Sequence, residues 1–185
     1  MSETRLLYDI SRKLNSDLDL DRILSDVLAL TVPSVDARDG SIMVFDDAGR
    51  VSHQILIRKG LPPHQVREII GKVLTGGLAG WVVAHRQGAV VSDIKHDERW
   101  LLLPDGCLET GSAIAVPLIR RDKVVGVLTL IHPQPNHFNE NHLVLLTSIA
   151  NQAAVAVENA RLFRAVQEEQ AKLQAILDEA ADAIL

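Results

Sequence analysis

The sequence predicts an α+β domain. A central antiparallel sheet of about six strands should carry the N- and C-terminal helices on one face and a pocket or lid on the other. Three observations predict it. Residues 112–132 read SAIAVPLIRRDKVVGVLTLIH, two apolar runs around Arg120-Arg121-Asp122-Lys123, the pattern of strand, turn and strand. A second such pair, 41–46 and 51–58, flanks Asp47-Ala48-Gly49. Apolar residues recur at helical spacing near both ends of the chain.

Leu6, Leu7, Ile10 and Leu14 mark one helical stretch, about 4–15. Leu20, Ile23, Leu24, Val27, Leu28 and Leu30 mark a second, about 19–32, with Asp17 and Asp19 suited to its start and Pro33 to its end. After the first hairpin, Pro63 suits the first turn of a helix over about 63–75. That helix carries Val66, Ile69, Ile70, Val73 and Leu74 and closes at Gly76-Gly77. Residues 77–85 read as a short helix and Ala89-Val90-Val91 as a short strand. Residues 92–111 are polar and irregular, and so long a loop in a compact domain usually carries function or moves.

In the 112–132 hairpin, Ile114, Val116 and Leu118 alternate with Ala113, Ala115, Pro117 and Ile119, so both faces of that strand are apolar. Pro117 cannot donate to a ladder and belongs at a bulge or a free edge. Gly126 in the partner strand suits close backbone approach. Asn139 suits the cap of a helix reaching about residue 178. Leu162, Val166, Leu173 and Ile176 give that helix about two heptads of seam, broken by Glu169. Leu6, Leu7, Ile10 and Leu14 exceed what a small sheet already served by the 19–32 helix can bury. The terminal helices therefore predict a homodimer, with packing of the two ends within one chain as the alternative.

Composition narrows the function classes. The 185 residues are 47% hydrophobic, enough for a real core, and aromatics are only 3%, so Leu, Ile, Val and Ala must fill it. The net charge of −5, with no basic block, argues against nucleic acid as a partner. A single cysteine, Cys107, excludes an internal disulfide and fits a reducing, cytoplasmic setting. The opening MSETRLLYDISRKLNSD is too polar for a signal peptide, and no apolar run approaches a membrane span, so no direct membrane contact is expected. Gly76-Gly77-Leu78-Ala79-Gly80 lacks both the dinucleotide spacing and the Lys-Ser/Thr of a phosphate loop, and reads as a helix cap with tight packing. No two histidines stand at the spacing of a zinc helix, and no nucleophile triad is recognisable.

Three segments in order, GGLAGWVVAHRQGAVVSDI (76–94), SAIAVPLIRRDKVVGVLTLIH (112–132) and FNENHLVLLTSIANQAAVAVENARLF (138–163), resemble the GAF family of ligand-sensing signalling domains. The resemblance covers about residues 18–163. It implies a six-stranded antiparallel sheet with a ligand pocket covered by the 60–110 segment. On that layout Trp81 and Trp100 lie near the pocket rim, to stack on a flat ligand or to plug the cavity. The ligand-binding candidates are Trp81, His96, Trp100, Cys107, Ile114 and Val116. Some family members attach a bilin, or reduce methionine sulfoxide, through cysteines near position 107. Here Leu108 follows Cys107 where a histidine is usual for a bilin, and no second cysteine exists for turnover. Phe138-Asn139-Glu140 does not reproduce the family's cyclic-nucleotide pattern.

The resulting expectation is a non-catalytic sensor or input domain of a bacterial signalling protein, a histidine kinase or a cyclic-dinucleotide enzyme. It would bind an unidentified small molecule, with the cofactor unknown, and pass the signal through dimeric helices to an output domain in the same polypeptide. The alternatives are a ligand-free dimerisation and relay module and a cysteine-dependent methionine sulfoxide reductase. The expected division is an N-terminal helix over 1–17, the sensor over 18–163, a helical linker over 164–178 and a following domain from 179. LQAILDEAADAIL at the end resembles the opening of a PAS domain, which predicts a piece of a longer protein.

Overall fold

The computed structural model describes residues 19–57, 71–101 and 111–182, with side chains as far as residue 178. The expected helix over 4–15, most of the 63–75 helix, Cys107 and the last three residues lie outside the described residues; residues 71–76 are helical.

Helix α1 spans Leu20–Ser34. Asp19 caps it, its Oδ1 accepting from the Asp21 N–H at 3.1 Å. Leu20, Ile23, Leu24, Val27, Leu28 and Val32 form its buried stripe. The helix runs through Pro33, two residues beyond the expected end. Pro33 has no N–H to continue the ladder, so the helix ends one residue on, and the Ala37 N–H donates to the Val32 carbonyl at 2.9 Å to close it.

Strands β1 (Asp39–Phe45) and β2 (Val51–Ile57) form the first hairpin. The Asp46 carboxylate organises its turn, accepting from the N–H groups of Ala48 (2.9 Å) and Arg50 (2.8 Å) and from the Arg50 guanidinium. Those bonds, led by the Arg50 N–H, hold its carboxyl below the usual range. Helix α2 (Leu78–His85) and β3 (Ala89–Val91) follow, then β4 (Ser112–Arg120) and β5 (Lys123–His132). The sheet order is β2-β1-β5-β4-β3, every neighbour antiparallel. That is five strands among the described residues, against about six expected. Pro117 sits beyond the last residue paired with β3 and one residue before the bulge at Leu118/Ile119, so it satisfies both sequence expectations.

The last element, α3, spans Glu140–Asp182. Its 43 residues measure about 64 Å at the helical rise. Asn139 Oδ1 accepts from the His142 N–H at 3.1 Å, as expected of the cap. The segment resembling a PAS opening is helical as far as Asp182. By length and composition α3 could cross a membrane, but a core helix passes the same test. Its first half is such a helix. Leu146, Ile149, Ala150, Ala153, Ala154, Val157 and Ala160 pack with α1 on the sheet face that carries Ile42, Val44, Ile114, Val116, Leu118, Leu128 and Leu130. The alanines let α3 approach the sheet closely. Both described terminal helices thus share one face, and the second face is left to α2 and the loop after β3.

Candidate functional site

Side chains alternate along a strand, and directly paired residues share a face. The register therefore assigns Met43, Val127 and Pro117 to one row of the second face, and Ser41, Thr129, Ala115 and Ala89 to the next. Asp39, Ile131, Ala113 and Val91 form a third. Leu78, Ala79 and Val82 of α2 and Ile94 of the following loop cover this floor, with Trp81, Trp100, Val73 and Leu74 packed at the margin. Ala89, Ala113 and Ala115 place short side chains under the cover. One buried polar atom on this face lacks a partner. Thr129 is 8% exposed, and its Oγ1 is buried without a hydrogen-bond partner. Such a group costs about 1–3 kcal/mol, so it calls for a specific explanation.

The rim is polar. Trp81 stacks on His85 with ring centroids 4.2 Å apart, and His85 Nδ1 donates to the Trp81 carbonyl at 2.9 Å. The Arg99 guanidinium lies 5.0 Å from the centroid of the Trp81 ring, within cation–π reach. Asp97 fixes Arg99 by a two-point pair, Nε to Oδ1 at 2.9 Å and Nη2 to Oδ2 at 2.6 Å. Their side-chain hydrogen bonds lower the Asp97 pKa and raise that of Arg99, so both are charged at neutral pH. Arg99 Nη2 also donates to the Val90 carbonyl at 3.3 Å, tying the loop to β3.

The candidate residues separate on this frame. Trp81 and Trp100 both pack against the second-face cluster. His96 stands exposed on the loop, its Nδ1 2.7 Å from Asp93 Oδ2, and the pair lowers the Asp93 pKa. Cys107 lies outside the described residues. Ile114 and Val116 are buried on the opposite face, among the side chains of α1 and α3. Their alternation partners Ala113 and Ala115 line the second face instead. The physical reason is size, since long side chains fill the layer between sheet and helices. Thr129 and Arg99 were not singled out, although Thr129 is the one polar residue inside the run VVGVLTLI. Among the described residues, no group of three or more His, Cys, Asp or Glu could hold a metal ion.

Comparison with known proteins agrees with this architecture. The chain is 27% identical over 177 residues to the Nif-specific regulatory protein of Herbaspirillum seropedicae, covering 91% of this chain and 31% of that protein. It thus spans about a third of that relative's length. Its fold is similar to the GAF domain of a phosphoenolpyruvate-protein phosphotransferase from Coxiella burnetii, with a TM-score of 0.71 at 20% identity, over 88% of this chain and 96% of that one. It is also similar to free methionine-R-sulfoxide reductase from Neisseria meningitidis, solved with its substrate, with a TM-score of 0.69 at 17% identity, over 86% and 90% of the two chains. A family model described as GAF domain matches residues 17–158, and the chain belongs to that family.

Proposed function

We propose that this chain is a non-catalytic regulatory module that binds a small, largely apolar molecule on the second face of the sheet and passes its occupancy to α3. The buried, unpartnered Thr129 hydroxyl carries the reading. It sits between Ser41 and Ala115 in a face otherwise lined mainly by apolar side chains, where a ligand with one hydrogen-bonding group would satisfy it. The regulatory character of the Herbaspirillum relative supports a signalling role. The setting we favour is the cytoplasmic input end of a histidine kinase or a cyclic-dinucleotide enzyme. A methionine sulfoxide reductase is the weaker reading, because the similarity to such enzymes lies in the fold and one cysteine is present.

A second reading rests on the same atom. Thr129 Oγ1 has almost no solvent contact, so the face can be filled by the protein's own side chains, as in a ligand-free relay module. Native mass spectrometry of the protein purified from its own host separates the two. Ligand binding predicts an additional bound mass that is lost on Trp100→Ala. An unadorned protein whose melting point ignores a metabolite extract leaves the relay module.

Thr129→Val tests the hydroxyl directly. It replaces an unsatisfied polar group by a methyl of similar shape, and the free protein is expected to melt about 3 °C higher. Ligand retention is expected to weaken about tenfold, the worth of one ordinary hydrogen bond. A lower melting point would mean that Thr129 serves the scaffold.

A further inference from the structure

Three histidines that sequence spacing does not connect meet where α3 begins. His132 ends β5, His137 lies in the connection that follows, and His142 is in the first turn of α3. The His132 and His137 rings stack with centroids 3.6 Å apart and 14° between planes. His142 stacks on His137 at 5.9 Å, and Phe138, 3% exposed, packs edge-on against both His137 and His142.

The three rings differ in their hydrogen bonding. His137 Nε2 donates to the carbonyl of Val35, the C-cap residue of α1, at 2.8 Å. His132 Nδ1 accepts from the Gln134 N–H at 3.1 Å, which requires that nitrogen to be unprotonated. His142 Nδ1 is buried without a partner. The other charged side chains on the segments meeting here are Asp36, Arg38 and Asp39 after α1 and Glu140 at the start of α3. Arg38 and Asp39 pair with each other at 3.0 Å. Among the described residues no carboxylate forms an ion pair with any of the three rings.

We propose that His132, His137 and His142 form a proton-responsive latch, closed when His132 and His142 are neutral, that holds the start of α3 to α1 and to the end of β5. A proton on His137 alone would leave the bond to Val35 in place, because both nitrogens of an imidazolium donate. A second has no good place. On His132 Nδ1 it removes the acceptor for Gln134 and puts two cations face to face. On His142 it puts a half-buried cation at the N-terminus of α3, against the helix dipole. Burial first, and the His137 charge second, lower the His142 pKa from 6.5. The sign follows. The unfolded chain takes up the proton near pH 6.5 and the folded chain only lower, so stability falls as the pH drops below that value. Acidification therefore loosens the root of the helix that would carry a signal.

The test compares the full chain at about pH 7.5 and about pH 5.5, a window that titrates histidine and spares most carboxylates. We expect the wild type to melt about 5 °C lower at the acidic pH, and the triple variant His132→Asn, His137→Asn, His142→Gln about 1 °C lower, with its other histidines intact. We also expect the amide exchange of Gln134 and Leu143, corrected for intrinsic rate, to accelerate at least about tenfold in the wild type alone. Equal pH sensitivity in wild type and variant overturns the proposal. So does unchanged exchange at both amides. If the triple variant does not fold, His142→Gln alone must show a smaller acid shift than the wild type, and an equal shift overturns the proposal.

Discussion

Gly126→Ala is expected to lower the melting temperature by roughly 6–12 °C, the equivalent of about 3 kcal/mol for a domain of this size. Gly126 sits in β5, the middle strand of the sheet, opposite Val44 of β1 and Leu118 of β4. A Cβ there would stand 2.4 Å from the Met43 carbonyl oxygen and 3.2 Å from the Leu118 side chain. The Leu118 end can swing away. The carbonyl belongs to a central strand and can retreat only by distorting the β1–β5 pairing. Gly49 is the control. Its φ of +77° disfavours alanine, yet nothing lies within 4 Å of the added atom. Gly49→Ala should cost about 1 kcal/mol, or roughly 2–4 °C. Circular dichroism melts of the two variants decide the matter. A Gly126→Ala protein that melts no lower than Gly49→Ala would mean that the strands part without cost.

Gly126 and Pro117 also mark how far a sequence alone reaches. Hairpins are local, so the turn residues and the period-two runs were sufficient to place β1, β2, β4 and β5 within two residues of their ends. The order of strands was not legible, because β5 lies between β1 and β4 through pairings made over long separations. Trp81 and Trp100 stand out in sequence through rarity, being the only tryptophans in an aromatic-poor chain, and both pack against the second-face cluster. Ile114 and Val116 show the opposite case. When both faces of a strand are apolar, periodicity separates two sets and does not say which set meets the helices. Side-chain size carries that information, with the alanines on the α2 side. The His132–His137–His142 stack matched no spacing rule, because it is assembled by the irregular connection over 133–139.

The two faces of the sheet are joined mechanically at one end. Arg161 on α3 donates to the carbonyl of Phe45, whose side chain belongs to the second-face cluster. Nearly one helical turn earlier, Glu158 accepts from Arg120, and Arg121 lies 3.8 Å away, so the β4–β5 turn is also fastened to α3. A ligand that moves β1 or the hairpin would therefore act on α3 near residues 158–161. Beyond that point the helix leaves the core, and its side chains are exposed.

What α3 exposes there predicts the second large effect. Val155, Asn159, Leu162, Val166, Glu169, Leu173 and Ile176 follow alternate steps of four and three, the repeat of a coiled-coil seam, and all seven are exposed. Leu162, Val166, Leu173 and Ile176 are 54–62% exposed, more apolar surface than one isolated helix keeps in water without a partner. A parallel pairing with a second copy would cover them and would set Asn159 against Asn159, the use of asparagine that fixes register and strand number. Val166→Glu with Leu173→Glu should then weaken the dimer at least about 100-fold, about 2.8 kcal/mol. Glu169 predicts the reverse. In the same pairing it faces its own copy, two like charges in an apolar seam, so Glu169→Leu should tighten the dimer by about tenfold or more. Sedimentation velocity over a concentration series measures both changes. Leu173→Cys in a Cys107→Ser background tests direction, because only the parallel register brings the two thiols together for oxidation. A wild-type chain that stays monomeric at high micromolar concentration, or a Glu169→Leu variant that associates no more tightly than the wild type, would remove the seam as the dimer interface.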